Sequence, residues 1–420
     1  MRHRGDWTAS KIGAYCLVGD GAHAKIPRQE SGVMYLTSKN FKPDGLDLSK
    51  IDYISTHDFE RHFRKGSKAL TMPEPSDVLV SIIGSLGEPY VVKPSDRFGL
   101  SSSVAIIRPR QDMLAPEYLY YWMKGSAFQS AVYGTKGGVA QSYLSLEMIR
   151  SLPLRFPSLN VQRNIAEILS AYDRLMDNNN RRIKILEEIA HMMYREWFVN
   201  FRFPGHEKAK MVESEIGPIP NGWEASSVGS LATEIRNSTN PRDVDPDTPY
   251  VGLEHIPRKS IALLEWGSVG QVQSAKLRFN RGDILFGKIR PYFHKVVVAP
   301  IAGVCSSDAI VIVPKKAEFL PLVLCCVSSE DFVAQATQTS QGTKMPRANW
   351  DVLTRYPVPL AEASIFSRFN RAIRPMIDLI NNLVFRNRNL RQTRDLLLPK
   401  LISGEVNVEQ SETEAVAQGV

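Results

Sequence analysis

Little in this chain of 420 residues offers reactive chemistry. It has only four cysteines, Cys16, Cys305, Cys325 and Cys326, at none of the spacings that ligate zinc. The adjacent pair Cys325–Cys326 makes a poor disulfide scaffold, so cysteine usage points to a reducing, cytoplasmic compartment. Long hydrophobic runs are missing too. The most apolar stretch, Leu320–Val327, falls far short of the ~20 residues that span a bilayer, and no membrane partner is expected. The opening MRHRGDW lacks the apolar core of a signal peptide.

Catalytic motifs are equally scarce. No Pro-Pro dipeptide occurs, which excludes the Asp/Asn-Pro-Pro-aromatic loop of DNA amino-methyltransferases. No acid is followed two positions later by lysine, as a common nuclease core requires. His206-Glu207 lacks the second histidine of a zinc-protease helix, and Ser101–Ser103 lacks the flanking glycines of a nucleophile elbow. The stretch Gly282–Lys288 (GDILFGK) imitates a phosphate-binding loop, but Ile289 stands where Ser or Thr would hold magnesium. Arg290-Pro291 then follows where a helix should begin. The chain reads as one that binds rather than transforms, with no catalytic residue, metal or cofactor of its own.

What is present is a globular composition, 43% hydrophobic and 23% charged, at a length that fits two or three domains. The net charge of +8 admits a polyanionic partner without requiring one.

The chain is also written twice. GLSSSVAIIRPR from Gly99 matches GVCSSDAIVIVPK from Gly303, 204 residues later. SDVLV around Asp77 matches GDILF around Asp283 at 206, and Gly138–Pro153 matches Gly342–Pro357 at 204. Trp7 and Trp223 open the copies 216 apart, so their early parts differ in length. Each copy begins β-rich, with short strands expected at Val78–Ile83, Val104–Ile107, Ile284–Phe286, Lys295–Ala299 and Ala309–Val313. A helix is expected from Pro116 to Met123, with proline in its first turn.

Each copy ends in a long helix. In the first, the seam Ile165, Leu169, Tyr172, Met176, Asn179, Ile183, Leu186, Ala190, Met193 and Trp197 steps by four and three throughout. Adding 204 gives Phe369, Ile373, Met376, Ile380, Leu383, Asn387, Leu390, Arg394, Leu397 and Leu401. Packing the two seams together is the natural way to bury both. Asn179 and Asn387 would set the register, or else face a partner. Pro375 is expected to kink the second helix or delay its start. The residues predict an α+β chain with a pseudo-twofold internal repeat, two similar mixed α/β domains and two long helices that pair along their seams or else lie each on its own domain. The expected segments are 1–158, a central helix 159–200, a linker 201–222, 223–361, a distal helix 362–403 and a disordered acidic tail 404–420.

Candidate binding residues cluster in two places. Lys276, Arg278, Arg281, Lys288, Arg290 and Lys295 surround the single acid Asp283, with Tyr292, Phe293 and His294 interleaved. Such a stretch suits phosphate and base-edge contacts, or equally a charged strand edge. Two Gly loops precede the helices, one with Lys136 and Gln141, the other with Lys344, Arg347 and Asn349. Glycine admits close backbone approach and such side chains are the usual readers of groove edges, although each loop taken alone is equally an ordinary turn. A helix from Asn160 to Phe198 would span ~58 Å, more than one DNA turn, which suits a split site with an unread gap.

The run from Asn389 to Glu405, NLRQTRDLLLPKLISGE, closely resembles the end of specificity subunits of type I restriction–modification enzymes. GDILFGKIRPYFHK followed by GVCSSDAIVIVP resembles a strand core of their target-recognition domains, and REWFVNFRFP through IGPIPNGW resembles the junction between their halves. The resemblance covers nearly the whole chain. It implies two target-recognition domains on double-stranded DNA, each reading half of a bipartite sequence, separated by the two long helices as an antiparallel coiled-coil-like pair. It implies helices that dock two methyltransferase subunits, which bind S-adenosylmethionine, and a restriction subunit that uses ATP and Mg. The specificity subunit itself catalyses nothing within that adenine-methylating, site-specific endonuclease assembly. Two departures stand out: Pro375, and the entry to the second helix, LAEASIFSRF, which lacks the Gln that copy one has as Gln162. A coiled-coil adaptor that binds proteins only is the alternative reading.

Overall fold

The computed structural model describes residues 7–43, 45–67, 69–134, 143–342 and 344–408. Lys136 and Gln141, and the tail beyond 408, lie outside the described residues. The chain divides into two compact units, one running to Asp173 and resuming at Gln392, the other Arg174–Arg391.

In the first unit, an antiparallel sheet runs Cys16–Asp20, Val104–Pro109, Val78–Ser81, Pro89–Val91. In the second, the order Ala232–Glu234, Ala309–Pro314, Ile284–Gly287, Val296–Val298 repeats it. The interior strands VLVS and ILFG are buried at every position, which is why they read as unbroken apolar runs rather than alternating ones. Each unit also has a parallel pair flanked by antiparallel strands, Val33–Leu36 with Phe98–Leu100 and Pro249–Val251 with Gly303–Cys305. The second unit adds Ser238–Thr239 and Lys276–Phe279 to that sheet. Each unit closes its two ends together, Thr8–Lys11 with Pro153–Phe156 and Glu224–Ser227 with Pro357–Leu360.

Helices cover the sheets in the same order. Pro116–Lys124 begins with its proline, whose missing N–H costs nothing there. Its counterpart Leu320–Val327 is buried at all eight positions, which explains the most apolar stretch of the sequence. Burial there pushes the thiols of Cys325 and Cys326 up to about 12, so they pack as small apolar groups.

The long helices span Leu159–Tyr194, extended by a π-type turn Arg195–Val199, and Ala363–Ser403. The second neither starts late nor breaks at Pro375, against the sequence expectation. Pro375 lies on the exposed side while Ile373 and Ile377 are buried, so packing on the opposite face holds the turn despite one lost hydrogen bond. Within the second unit the helices run antiparallel, with Asn179 beside Asn387 and Phe198 beside Phe369 at 4.8 Å between rings. Ile183, Phe369, Ile373, Ile380 and Leu383 are buried there, with Leu186 packed against them and Leu390 half-buried. In the first unit Ile165 and Leu169 share a core with Leu398 and Leu401, and Tyr172 is half-buried. Gly404–Val408, part of the expected disordered tail, continue that packing, with Val408 in the same core.

The helix entries are anchored differently. Gln162 is fully buried; its Oε1 accepts from Ala115 N–H at 2.8 Å and its amide donates to the carbonyls of Met113 and Pro157. At the corresponding places of the second copy stand Phe366 and Phe319, edge to face at 5.9 Å. An aromatic contact thus replaces the polar one, which accounts for the missing glutamine. Among the described residues no helix is long and apolar enough to cross a membrane.

A further anchor is Glu187, whose Oε1 accepts from Ser260 Oγ at 2.6 Å and from the N–H groups of Ile261 and Ala262 at 2.8 and 3.0 Å. Burial raises its pKa above the ordinary carboxylate value, partly opposed by these hydrogen bonds. Because the folded pKa is raised, the associated stability is present at low pH and lost as pH rises through that pKa. Glu187→Gln keeps the accepting oxygen and removes the charge. Its stability should therefore gain on wild type as pH rises from 4.5 to 8 in urea unfolding. Glu187→Ala should lose about 2–4 kcal/mol at either pH, because buried donors are left unpaired.

Candidate nucleic-acid interface

Strand Ile284–Gly287 delivers Lys288, Ile289 and Arg290 to the rim of the second unit. Lys288 N–H donates to Asp308 O at 2.8 Å, and Lys288 O accepts from Ala348 N–H at 2.9 Å. Arg290 N–H donates to Pro346 O at 2.8 Å, so this edge is stitched to the segment 346–348. That segment belongs to a loop closed by two hydrogen bonds between Gln341 and Arg347, with Gly342 in the left-handed region at φ 99°. Arg290 is also left-handed, at φ 49°, a conformation a non-glycine residue adopts only when its surroundings enforce it.

Beside this seam is a groove of about 470 Å³ lined by Arg236, Lys288, Gln341, Arg347, Asn349 and the acid Glu234, among others. Glu234 is engaged by Arg236 at 2.7 Å, and Arg347 stands 3.8 Å from Asp308. Both pairings leave the arginines more than half or half exposed, so they are weak and exchangeable for a phosphate. Lys288 has no side-chain partner among the described residues, and Lys344 is exposed on the same loop. The surface carries more positive than negative charge on a backbone fixed before any ligand arrives, which lowers the ordering cost of binding.

The structure thus brings together Lys288, Arg290, Lys344, Arg347 and Asn349, and adds Arg236 and Gln341, which sequence reading missed because their strand and loop meet only in the fold. Two other candidates, Lys276 and His294, are corrected, and the part of Asn349 is narrowed. Lys276 is 5% exposed, its ammonium donating to the carbonyl and hydroxyl oxygens of Ser274 at 2.7 Å. His294 is buried with Nε2 2.8 Å from Ser328 O, in an interior role. Asn349 lines the groove, but its Oδ1 caps a helix by accepting from Asp351 N–H at 3.0 Å, leaving only its amide hydrogens to a ligand. Arg278 is exposed and bonded to Thr239 at 3.0 Å, on the added sheet strand rather than the groove. Phe293 is flanked by Arg258 at 4.0 Å and Arg290 at 5.9 Å, which extends the cationic surface.

The first unit repeats the stitch. Ile82 N–H donates to Ser103 O at 2.9 Å, Ile82 O accepts from Leu144 N–H at 2.9 Å, and Ile83 bridges Tyr143 as Ile289 bridges Arg347. Among the described residues no group of three His, Cys, Asp or Glu side chains could hold a metal ion.

If the groove meets phosphates, Lys288→Ala should weaken binding similarly across DNA sequences and reduce the slope of log K against log salt by about 0.9. Lys276→Ala should leave that slope unchanged. Titration at several salt concentrations reads both.

Comparison with known proteins shows what the chain resembles. Residues 34–188 match the family model of the type I restriction modification DNA specificity domain. The chain is 23% identical to the type I restriction enzyme MjaIX specificity subunit of Methanocaldococcus jannaschii, covering 96% of this chain and 94% of that protein. It is 24% identical to the EcoDI specificity subunit of Escherichia coli over 79% of each. In fold it is similar to the type I restriction–modification S subunit from M. genitalium, with a TM-score of 0.59 at 14% identity, covering 96% of this chain and 97% of that one. Over most of its length the chain is thus similar to type I restriction enzyme specificity subunits, and one segment of it matches their DNA specificity domain.

Proposed function

We propose that this chain is the non-catalytic DNA-recognition subunit of a type I restriction–modification complex and binds a bipartite target, one half-site per unit. The observation that carries this reading is the stitched rim built twice. Ile83 with Tyr143 and Ile289 with Arg347 close equivalent edges at the ends of equivalent strands. Each edge sits ahead of a long helix that begins with Leu159 or Ala363.

The long helices dock two methyltransferase subunits, and the restriction subunit joins that assembly. S-adenosylmethionine is held by the methyltransferase subunits, and ATP and Mg by the restriction subunit. The second helix supports an electrostatic part in docking or in facing the spacer DNA, since it carries Arg368, Arg371, Arg386, Arg388 and Lys400 besides arginines such as Arg394 that pair with acids of this chain. The complex works in the cytoplasm.

Replacing residues 223–361 with a diverged counterpart from another specificity subunit should change one half-site and leave the other half and the methylation chemistry intact. Sequencing of modified bases in cells carrying the hybrid reads the result. A simultaneous change in both halves would rule out two independent readers, and modification without sequence preference would favour an adaptor.

A further inference from the structure

The two stitched rims share a backbone but not a chemistry. Position for position, Lys288, Ile289, Arg290 and Arg347 of the second unit are Ile82, Ile83, Gly84 and Tyr143 in the first, and Asp308 is Ser103. The first rim therefore has no charge at any of these five places. It has instead two large apolar side chains in solvent, Ile83 at 44% and Tyr143 at 60% exposure. Opposed residues in an antiparallel bridge project to the same face within contact distance, so the two form one small apolar step. Single exposed apolar residues need no explanation, but here Tyr143 stands where the repeat puts Arg347, and Ile83, the counterpart of Ile289, faces an aromatic ring instead of a guanidinium.

The turn beside it is built for close approach. Gly84 and Gly87 are left-handed, at φ 80° and 81°. A side chain at Gly84 would find only Ser38 Oγ, at 3.7 Å, so the position is open towards solvent. With Ile82 itself buried, the rim presents Ile83 and Tyr143 above a nearly bare backbone.

Resting on the reading that this rim faces DNA, we propose that Ile83, supported by Tyr143, is a specificity-determining residue that reads the 5-methyl group of a thymine in the first unit's half-site. In the major groove every base edge is polar except that methyl. Pressing Ile83 against a guanine, cytosine or adenine edge would desolvate donors and acceptors and offer them no partner. A thymine methyl has nothing to lose by the contact. The second unit keeps an isoleucine, Ile289, at the place of Ile83 but flanks it with Lys288 and Arg347, which grip phosphates or guanine edges instead. The two half-sites are thereby recognised by different physics through one backbone design.

The test uses the full chain assembled with its methyltransferase subunits, and duplexes bearing the target mapped from modified bases. The first unit's half-site is the one that survives replacement of residues 223–361. Each thymine in both half-sites is replaced singly by deoxyuridine, which removes only the methyl. One replacement in the first half-site should weaken binding about fourfold, the worth of one buried methyl group. Ile83→Ala should abolish that sensitivity, so that thymine and uracil duplexes bind equally, while discrimination at the second half-site persists and shows the variant folded. Tyr143→Phe should keep the sensitivity. A first half-site without an A·T pair, no response to deoxyuridine, or an undiminished response in Ile83→Ala would overturn the proposal. Failure of the underlying reading looks different, because scrambling the whole first half-site would then leave binding unchanged.

Discussion

Two helices of 36 and 41 residues each carry one apolar seam, and neither can leave it in water. Within each unit their pairing constrains what packs on it, because the main core of each unit includes residues from both helices. Apolar burial alone would permit the pair to slide by a turn. Polar contacts forbid it. Asn179 donates to Asn387 Oδ1 at 2.8 Å while Asn387 donates to Asn180 Oδ1 at 2.7 Å, within the second unit. In the first unit, Arg394 pairs with Asp173, which also accepts from Tyr121 hydroxyl at 2.6 Å. A slip would separate these pairs and leave the buried Asn179 without its partner, at about 1–3 kcal/mol. At the places related to them by the repeat stand Ile183 with Leu383, and Ala190 with Ile377, all buried. The polar locks thus occur in one sense only, as a register marker must.

The same economy governs the attachments. Gln162 and Phe366 occupy equivalent positions and tie the helix entry to the preceding domain, one through three hydrogen bonds and the other through an aromatic contact. Diverged copies can keep a geometry while exchanging its chemistry, provided that no buried polar group is left alone. The rims follow that rule as well, with a fixed stitch and variable side chains. A recognition protein benefits from the arrangement, because rim residues can change without disturbing the sheet beneath them.

The periodic parts of this structure were legible in the sequence. Seam residues from Ile165 to Leu401 recur at a spacing that only a long paired helix satisfies, and the repeat offsets carried over to strand order and hydrogen-bond pattern. Depth was not legible. Lys276 and His294 sit in the same basic stretch as Lys288 and Arg290, yet both are buried, Lys276 with its ammonium held by Ser274 and His294 in a left-handed conformation against Ser328. Pro375 misled for a related reason, since a local penalty is small beside the burial of Ile373 and Ile377 on the other face. Arg236 and Gln341 carried no local signal, as each joins the groove only through tertiary packing.

The similarity to specificity subunits and the twice-built rim both support the proposal that this chain reads two separate DNA half-sites through two chemically different surfaces. The most direct measurement compares modified bases across the genome in cells with this system intact and in cells with this chain deleted. The account predicts a single bipartite motif, two short specified blocks around an unspecified gap, that disappears entirely on deletion. A contiguous motif, or modification that persists without the chain, would contradict it.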